Sequence, residues 1–209
     1  MTRTVVHLLR HGEVYNPDGI LYGRLPGFGL SEHGQQQAKA VADSLATHDL
    51  AHVVASPLQR AQETARPLAE RHAVEIATDE RLIEADNLFE GLRVGAGDGA
   101  LRHPEHWRKL HNPFVPSWGE PYVRVAHRML GALYRARANA VGREALCVSH
   151  QLPVWTLRRF LRAERLWHDP RRRQCSLASL TSVVFSDEEV VDVVYSEPAG
   201  ATDATVAGA

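Results

Sequence analysis

Arg10 and His11 stand side by side where an apolar run, Val5-Val6-His7-Leu8-Leu9, gives way to Gly12 and Glu13. A guanidinium is a permanent cation with a planar fork of donors, and an imidazole titrates near neutrality and attacks as a neutral base. Together they suit capture of a phosphoryl group. A second histidine, His150, follows another apolar run, Ala145-Leu146-Cys147-Val148-Ser149, and Arg60 lies just beyond a third, His52-Val53-Val54-Ala55-Ser56.

For these side chains to meet, the apolar runs must be strands of one sheet. β-branched and leucine residues fill them, and each stops at a glycine or a polar residue. A long loop rich in Gly, Pro, Asp and Asn spans Glu13 to Leu30, and Ser31 then caps a helix running to about Thr47. A second helix begins at Pro57, with Leu58, Ala61, Thr64, Ala65, Leu68 and Ala69 on its apolar face. Val74, Ile76 and Thr78 alternate as a short third strand. Pro121 to Ala140 and Gln151 to Leu161 read as helices, and Leu177–Phe185 and Val190–Tyr195 as a closing hairpin. Alternating strands and helices predict an α/β fold, a three-layer α/β/α sandwich with a mostly parallel central sheet. In such sheets ligands bind beyond the carboxyl ends of the strands, which is where Arg10, His11, Arg60 and His150 fall.

With 209 residues, 44% hydrophobic and 23% charged, the chain has the composition of a single globular domain. We expect that domain over 1–198, with 87–120 as an inserted lid and 199–209 as a mobile tail. The lid contains Trp107, Phe114 and Trp118 and one short helix near Pro104 to Leu110. A net charge of −1 offers no general field for nucleic acid or an anionic membrane. No apolar run approaches the roughly 20 residues of a membrane helix, and the N-terminus lacks a signal-peptide core, so a cytoplasmic protein is expected. Cys147 and Cys175 read as buried thiols. His103 and His106, with His111 nearby, could share a helical face toward a metal, but no acidic partner is evident, and no metal or cofactor is expected. Arg158, Arg159, Arg162 and Arg165, with Arg171-Arg172-Arg173, read as a solvated basic face.

Leu9-Arg10-His11-Gly12-Glu13, Ser56-Pro57-Leu58-Gln59-Arg60-Ala61-Gln62-Glu63-Thr64-Ala65, Leu82-Ile83-Glu84 and Val148-Ser149-His150 together resemble the histidine phosphatase superfamily, the phosphoglycerate-mutase-like fold, from about Val5 to Phe185. The resemblance implies that His11 is a nucleophile forming a phosphohistidine, and that Arg10 and Arg60 clamp the phosphoryl oxygens. It further implies that His150 stabilises charge on those oxygens, as a cation or a donor. Glu84 matches the acid/base carboxylate, with Asp86 and Glu90 as alternatives for that work and Arg81 spaced to pair with Glu84 instead, and Asn16 matches an extra phosphate contact. The activity implied is that of a histidine acid phosphatase-type phosphomonoesterase acting on a small-molecule phosphate ester, as a monomer or a homo-oligomer. A phosphomutase and a phosphate-ester-binding module are the alternatives. The mutase branch commonly carries Glu-Arg-His-Tyr-Gly where this chain has Glu84-Ala85-Asp86-Asn87, which favours hydrolysis. Two departures concern the substrate. Gln151 replaces a common glycine, narrowing the approach or contributing an amide to the pocket, and Gly119-Glu120-Pro121 replaces Gly-Glu-Ser.

Overall fold

A computed structural model describes residues 1–93 and 119–200, apart from the Arg171 side chain. Among the described residues, β1 (Arg3–Arg10), β2 (Leu50–Ala55), β3 (Ile76–Thr78), β4 (Glu144–Ser149), β5 (Leu180–Ser186) and β6 (Glu189–Ser196) form one sheet, in the order β3-β2-β4-β1-β5-β6. β1 is parallel to β4, and β2 is parallel to β3 and β4; β5 is antiparallel to both β1 and β6. Only β5 opposes the common direction. Helices α1 (Glu32–Ser44) and α2 (Gln59–His72) cover one face, and α3 (Tyr122–Asn139) and α4 (Gln151–Leu161) cover the other. The sheet is therefore mixed but mostly parallel, between two helical layers, as expected from the alternation of elements.

Period-two alternation divides the central strands between two cores. Val6 and Leu8 of β1 and Cys147 of β4 pack with Val125, Met129 and Leu133 of α3. Leu9, Leu146 and Val148 point the other way, toward Val41 of α1 and Leu68 of α2. Each such buried Leu or Val contributes about 1.5–3 kcal/mol.

Ser31 caps α1, its Oγ accepting from the Gly34 N–H at 3.0 Å while donating to Glu13 at 2.6 Å. The backbone after β1 lies directly on this first turn. A Cβ at Gly34 would stand 2.0 Å from the Glu13 carbonyl oxygen, and one at Gly12 would stand 2.6 Å from the Gly34 oxygen. Only glycine permits that approach.

Two element starts differ from the sequence expectations for reasons the structure shows. α2 starts at Gln59 rather than Pro57, since proline holds Ser56 extended and Leu58 is itself extended as the N-cap. β5 starts at Leu180 rather than Leu177, because Ala178 adopts a φ of 55° and donates its N–H to the His11 carbonyl. Residues 177–179 thus turn beneath the end of β1 instead of joining the ladder. The stems of the expected lid are tied to each other, Asn87 bridging Gly119 and the Glu120 N–H donating to the Asp86 carbonyl at 3.2 Å. The helix expected near Pro104, the aromatic residues Trp107, Phe114 and Trp118, the histidines at 103, 106 and 111, and the tail from 201 lie outside the described residues. No described helix is long and apolar enough to cross a membrane.

At the amino end of β4, Glu144 accepts from His7 Nε2 at 2.8 Å and from His48 Nδ1 at 2.7 Å. Those bonds, His7's foremost, hold its carboxyl down at about 2. A depressed carboxyl stabilises the fold above its unfolded value of about 4.5 and loses that contribution as pH falls through about 2. Glu144→Gln is expected to lower stability by about 2 kcal/mol at pH 7 and by much less at pH 2–3, measured by urea unfolding at both.

Candidate active site

Arg10 of β1 and Ser149 of β4 are register partners, so the next residues, His11 and His150, emerge together at the carboxyl edge of the sheet. Their ring centroids are 5.2 Å apart. β2 ends beside them: the Ser56 N–H donates to the Val148 carbonyl at 2.9 Å, and Ser56 Oγ lies 2.8 Å from His150 Nε2. The first turn of α2 then presents Arg60. All four of Arg10, His11, Arg60 and His150 are buried.

Backbone oxygens anchor both guanidinium groups. Arg10 Nη1 donates to the Cys175 carbonyl at 2.7 Å, and Arg60 Nη2 donates to the Gly23 carbonyl at 2.6 Å. Arg60 also lies over the Tyr22 ring, 4.7 Å from its centroid. Thr64 links the loop to the helix, accepting from the Gly12 N–H at 3.1 Å and donating to the Arg60 carbonyl at 2.7 Å. His11 Nδ1 donates to the Gly12 carbonyl at 2.8 Å, which leaves the lone pair on Nε2.

What remains unbonded is informative. Nε and Nη2 of Arg10, Nε of Arg60, Nε2 of His11 and Nδ1 of His150 are buried with no hydrogen-bond partner among the described residues. Buried polar atoms in that condition are costly. Five of the nine such side-chain atoms among the described residues lie on these two arginines and two facing imidazoles, a cluster suited to an acceptor-rich group. Burial, reinforced by Arg60 and Arg10, holds His11 well below the ordinary histidine range. Burial and then Arg60 do the same for His150. Both rings are therefore neutral near pH 7, which favours the donor rather than the cation for His150. In the tautomer in which Ser56 donates to Nε2, the Nδ1–H is available to an oxygen.

Glu84 is 8% exposed, and Oε1 accepts from the Ala85 N–H at 2.8 Å. Burial raises its carboxyl against the opposing pulls of that N–H and of Arg60, Arg173 and Arg10. Arg81 forks onto Asp79 rather than onto Glu84. Arg24 Nε holds the Glu84 carbonyl at 2.8 Å, and Arg24 and Arg128 converge on Glu120, Arg128 also donating to the Arg81 carbonyl at 2.6 Å. Asp86 is exposed, and Glu90 accepts from the Arg24 N–H at 2.9 Å. Of the three carboxylates, Glu84 is the buried one.

The profile of the histidine phosphatase superfamily (branch 1) matches residues 6–197. The chain belongs to that superfamily. An uncharacterized protein of Mycobacterium tuberculosis, Rv0525, is 63% identical over 196 residues, which are 94% of this chain and 97% of that protein. Phosphoserine phosphatase 1 of Hydrogenobacter thermophilus is 32% identical over 152 residues, 70% of this chain and 71% of that enzyme. Among solved structures, a mycobacterial glucosyl-3-phosphoglycerate phosphatase superposes with a TM-score of 0.70 at 26% identity, over 93% of this chain and 96% of its own.

Within this histidine phosphatase-superfamily chain, the structure brings Arg10, His11, Arg60 and His150 together, with Glu84 lining a pocket beside them. Asn16 stands differently. Its Nδ2 donates to the Ile20 carbonyl at 2.9 Å and its Oδ1 accepts from the Ile20 N–H, so its carboxamide closes a turn of the first loop. Gln151 lines the pocket and accepts from Arg173 Nη1 at 3.2 Å. The expectation of a solvated basic face needs correction at two residues. Arg158 is 8% exposed and lies over Trp155 and Tyr195, and Arg173 turns into the pocket. Sequence reasoning also missed Tyr22, Thr64 and the Cys175 carbonyl; a backbone oxygen leaves no signature in residue types.

Both imidazoles should show the nitrogen-15 shifts of neutral rings at pH 6 in the unliganded protein. Because their values are lowered, the neutral state supports the fold above about 6.5 and this support declines as pH falls below that. A charged ring at pH 6 would contradict the burial argument.

Proposed function

We propose that the protein is a phosphomonoester hydrolase of the cytoplasm, acting on a small phosphorylated metabolite through a phosphohistidine on His11. The observation that carries this is the set of unpartnered buried nitrogens on Arg10, Arg60, His11 and His150. A phosphoryl group offers three oxygens to such donors and a phosphorus atom to the Nε2 lone pair.

In the first step Nε2 of His11 attacks phosphorus in line, and the bond to the ester oxygen breaks. Glu84, protonated, gives its proton to that leaving oxygen. Arg10, Arg60 and the Nδ1–H of His150 stabilise charge on the three transferring oxygens. In the second step Glu84, now a carboxylate, takes a proton from water as the water oxygen attacks phosphorus. The P–N bond breaks, releasing inorganic phosphate and restoring neutral His11. Burial serves both halves, keeping His11 unprotonated and Glu84 protonated above the ordinary carboxylate range.

His11→Ala is expected to reduce phosphate release from an aryl phosphate to that of a no-enzyme control. An acid-labile phosphoenzyme should be trapped on the wild type and not on the variant; full activity in the variant would sink the mechanism. Transfer between the hydroxyls of a monophosphoglycerate without release would identify a mutase instead. Binding without any turnover would identify a binding module.

Glu84→Gln is expected to slow hydrolysis of an alkyl phosphate by about 10²–10⁴-fold, and that of an aryl phosphate with a good leaving group by much less. The wild-type rate should fall as pH rises through the raised Glu84 value, and this alkaline limb should vanish in the variant. Equal losses on both substrates would argue against proton donation.

A further inference from the structure

Arg173 has no part in the mechanism above, yet it reaches the same pocket. It follows a single 3-10 turn, Pro170–Arg172, and lines the pocket with Glu84, Gln151, Tyr122 and Gly23. That pocket adjoins the phosphoryl cradle, since Gly23 holds Arg60 and Gln151 directly follows His150.

Its guanidinium is set in place by neutral groups. Nε donates to His168 Nε2 at 2.9 Å, Nη1 donates to Gln151 Oε1 at 3.2 Å, and the Tyr122 hydroxyl is also hydrogen-bonded to it. His168 is fixed in turn, its Nδ1 donating to the Leu166 carbonyl at 2.7 Å. Burial lowers His168 to about 4, so it accepts from Arg173 as a neutral ring. An arginine on the solvated face that the sequence suggests would have no need of such a mount.

The charges point the same way. Arg10, Arg60 and Arg173 all act on Glu84. A phosphate dianion balances two of these cations. With Glu84 protonated for its acid step and both histidines neutral, none of these groups compensates the third cation; of the pocket's other carboxylates, Glu120 is taken by Arg24 and Arg128, and Asp86 is exposed to water. A half-buried guanidinium held by neutral partners is completed by an anion, and its planar fork matches a carboxylate.

We infer, building on the hydrolase reading above, that Arg173, mounted by His168 and Gln151, is a specificity-determining residue that binds a carboxylate on the leaving-group side of the substrate. The substrate class is then a phosphorylated carboxylic acid. Gln151, which stands where the superfamily commonly has glycine, acts as a positioning residue for that arginine.

Calorimetric binding of two pairs of phosphonates tests this without turnover. The pairs are phosphonoacetate against ethylphosphonate, and 3-phosphonopropionate against propylphosphonate. The wild type is expected to bind at least one carboxylated member at least about 10-fold more tightly than its partner. Arg173→Met should bring that ratio to within about 2-fold, and Arg173→Lys, which keeps the charge but not the fork, should give an intermediate ratio. A wild type that binds both members of each pair equally, or a ratio unchanged in the variants, overturns the assignment. Should Arg173→Met fail to fold, the wild-type ratio and the lysine variant decide. Aryl phosphate hydrolysis by the same preparation separates the two ideas. Turnover with no carboxylate preference overturns the Arg173 subsite alone, and a carboxylate preference that depends on Arg173 without turnover overturns hydrolysis alone.

Discussion

Backbone pairing between β1 and β4 sets the geometry on which the rest depends. The pairing of Arg10 with Ser149 lets both strands end at the same level, and each is followed at once by a histidine. A slip of one residue would move either imidazole to the opposite side of its strand and to a different height. The pairing is held between two hydrophobic cores and, at its far end, by Glu144 bonded to His7 and His48. β2 joins on the other side of β4 and delivers Ser56 to His150.

Burying two arginines beside two histidines is costly, because charges leave water and the cations repel each other. The fold offsets part of this with oriented carbonyls at Gly23 and Cys175 and with the Tyr22 ring. It leaves several of the remaining polar nitrogens without partners among the described residues, a residual cost that the anionic substrate of the proposed reaction would relieve. The same burial keeps the imidazoles neutral and raises Glu84. One environment therefore gives the proposed nucleophile, donor and acid the protonation states those roles would need, without separate devices for each.

Around this cradle lies a second tier of arginines with different duties. Arg24 and Arg128 meet on Glu120 and steady the segment bearing Glu84, the acidic residue of the Gly119-Glu120-Pro121 stretch supplying their anchor. Arg173 faces the pocket instead, on neutral supports. The phosphoryl cradle uses the motifs by which the superfamily is recognised, whereas the Arg173 mount uses Gln151, a departure from them. Substrate identity should therefore be sought in the second tier.

The strands, the helices and the four residues of the cradle were legible in the sequence because each obeys a local rule. Apolar periodicity marks the elements, Ser31 marks a cap, and a histidine or arginine just past a strand marks a sheet-edge site. Glu84 was legible only as one of three carboxylates, since burial separates it from Asp86 and Glu90 and burial is a property of the packed chain. The start of β5 was misjudged because a positive φ at Ala178 answers to the His11 carbonyl, 167 positions earlier in the sequence numbering. Asn16 had the right type and loop, but Ile20 claims its amide. Arg173, within a run of three arginines, had every local mark of a solvated charge. Its direction is decided by His168, Gln151 and Tyr122, which come together only when α3, α4 and the 3-10 turn pack against one another, so the sequence by itself determined the chemistry at the strand ends while the tertiary structure decided which charges face it.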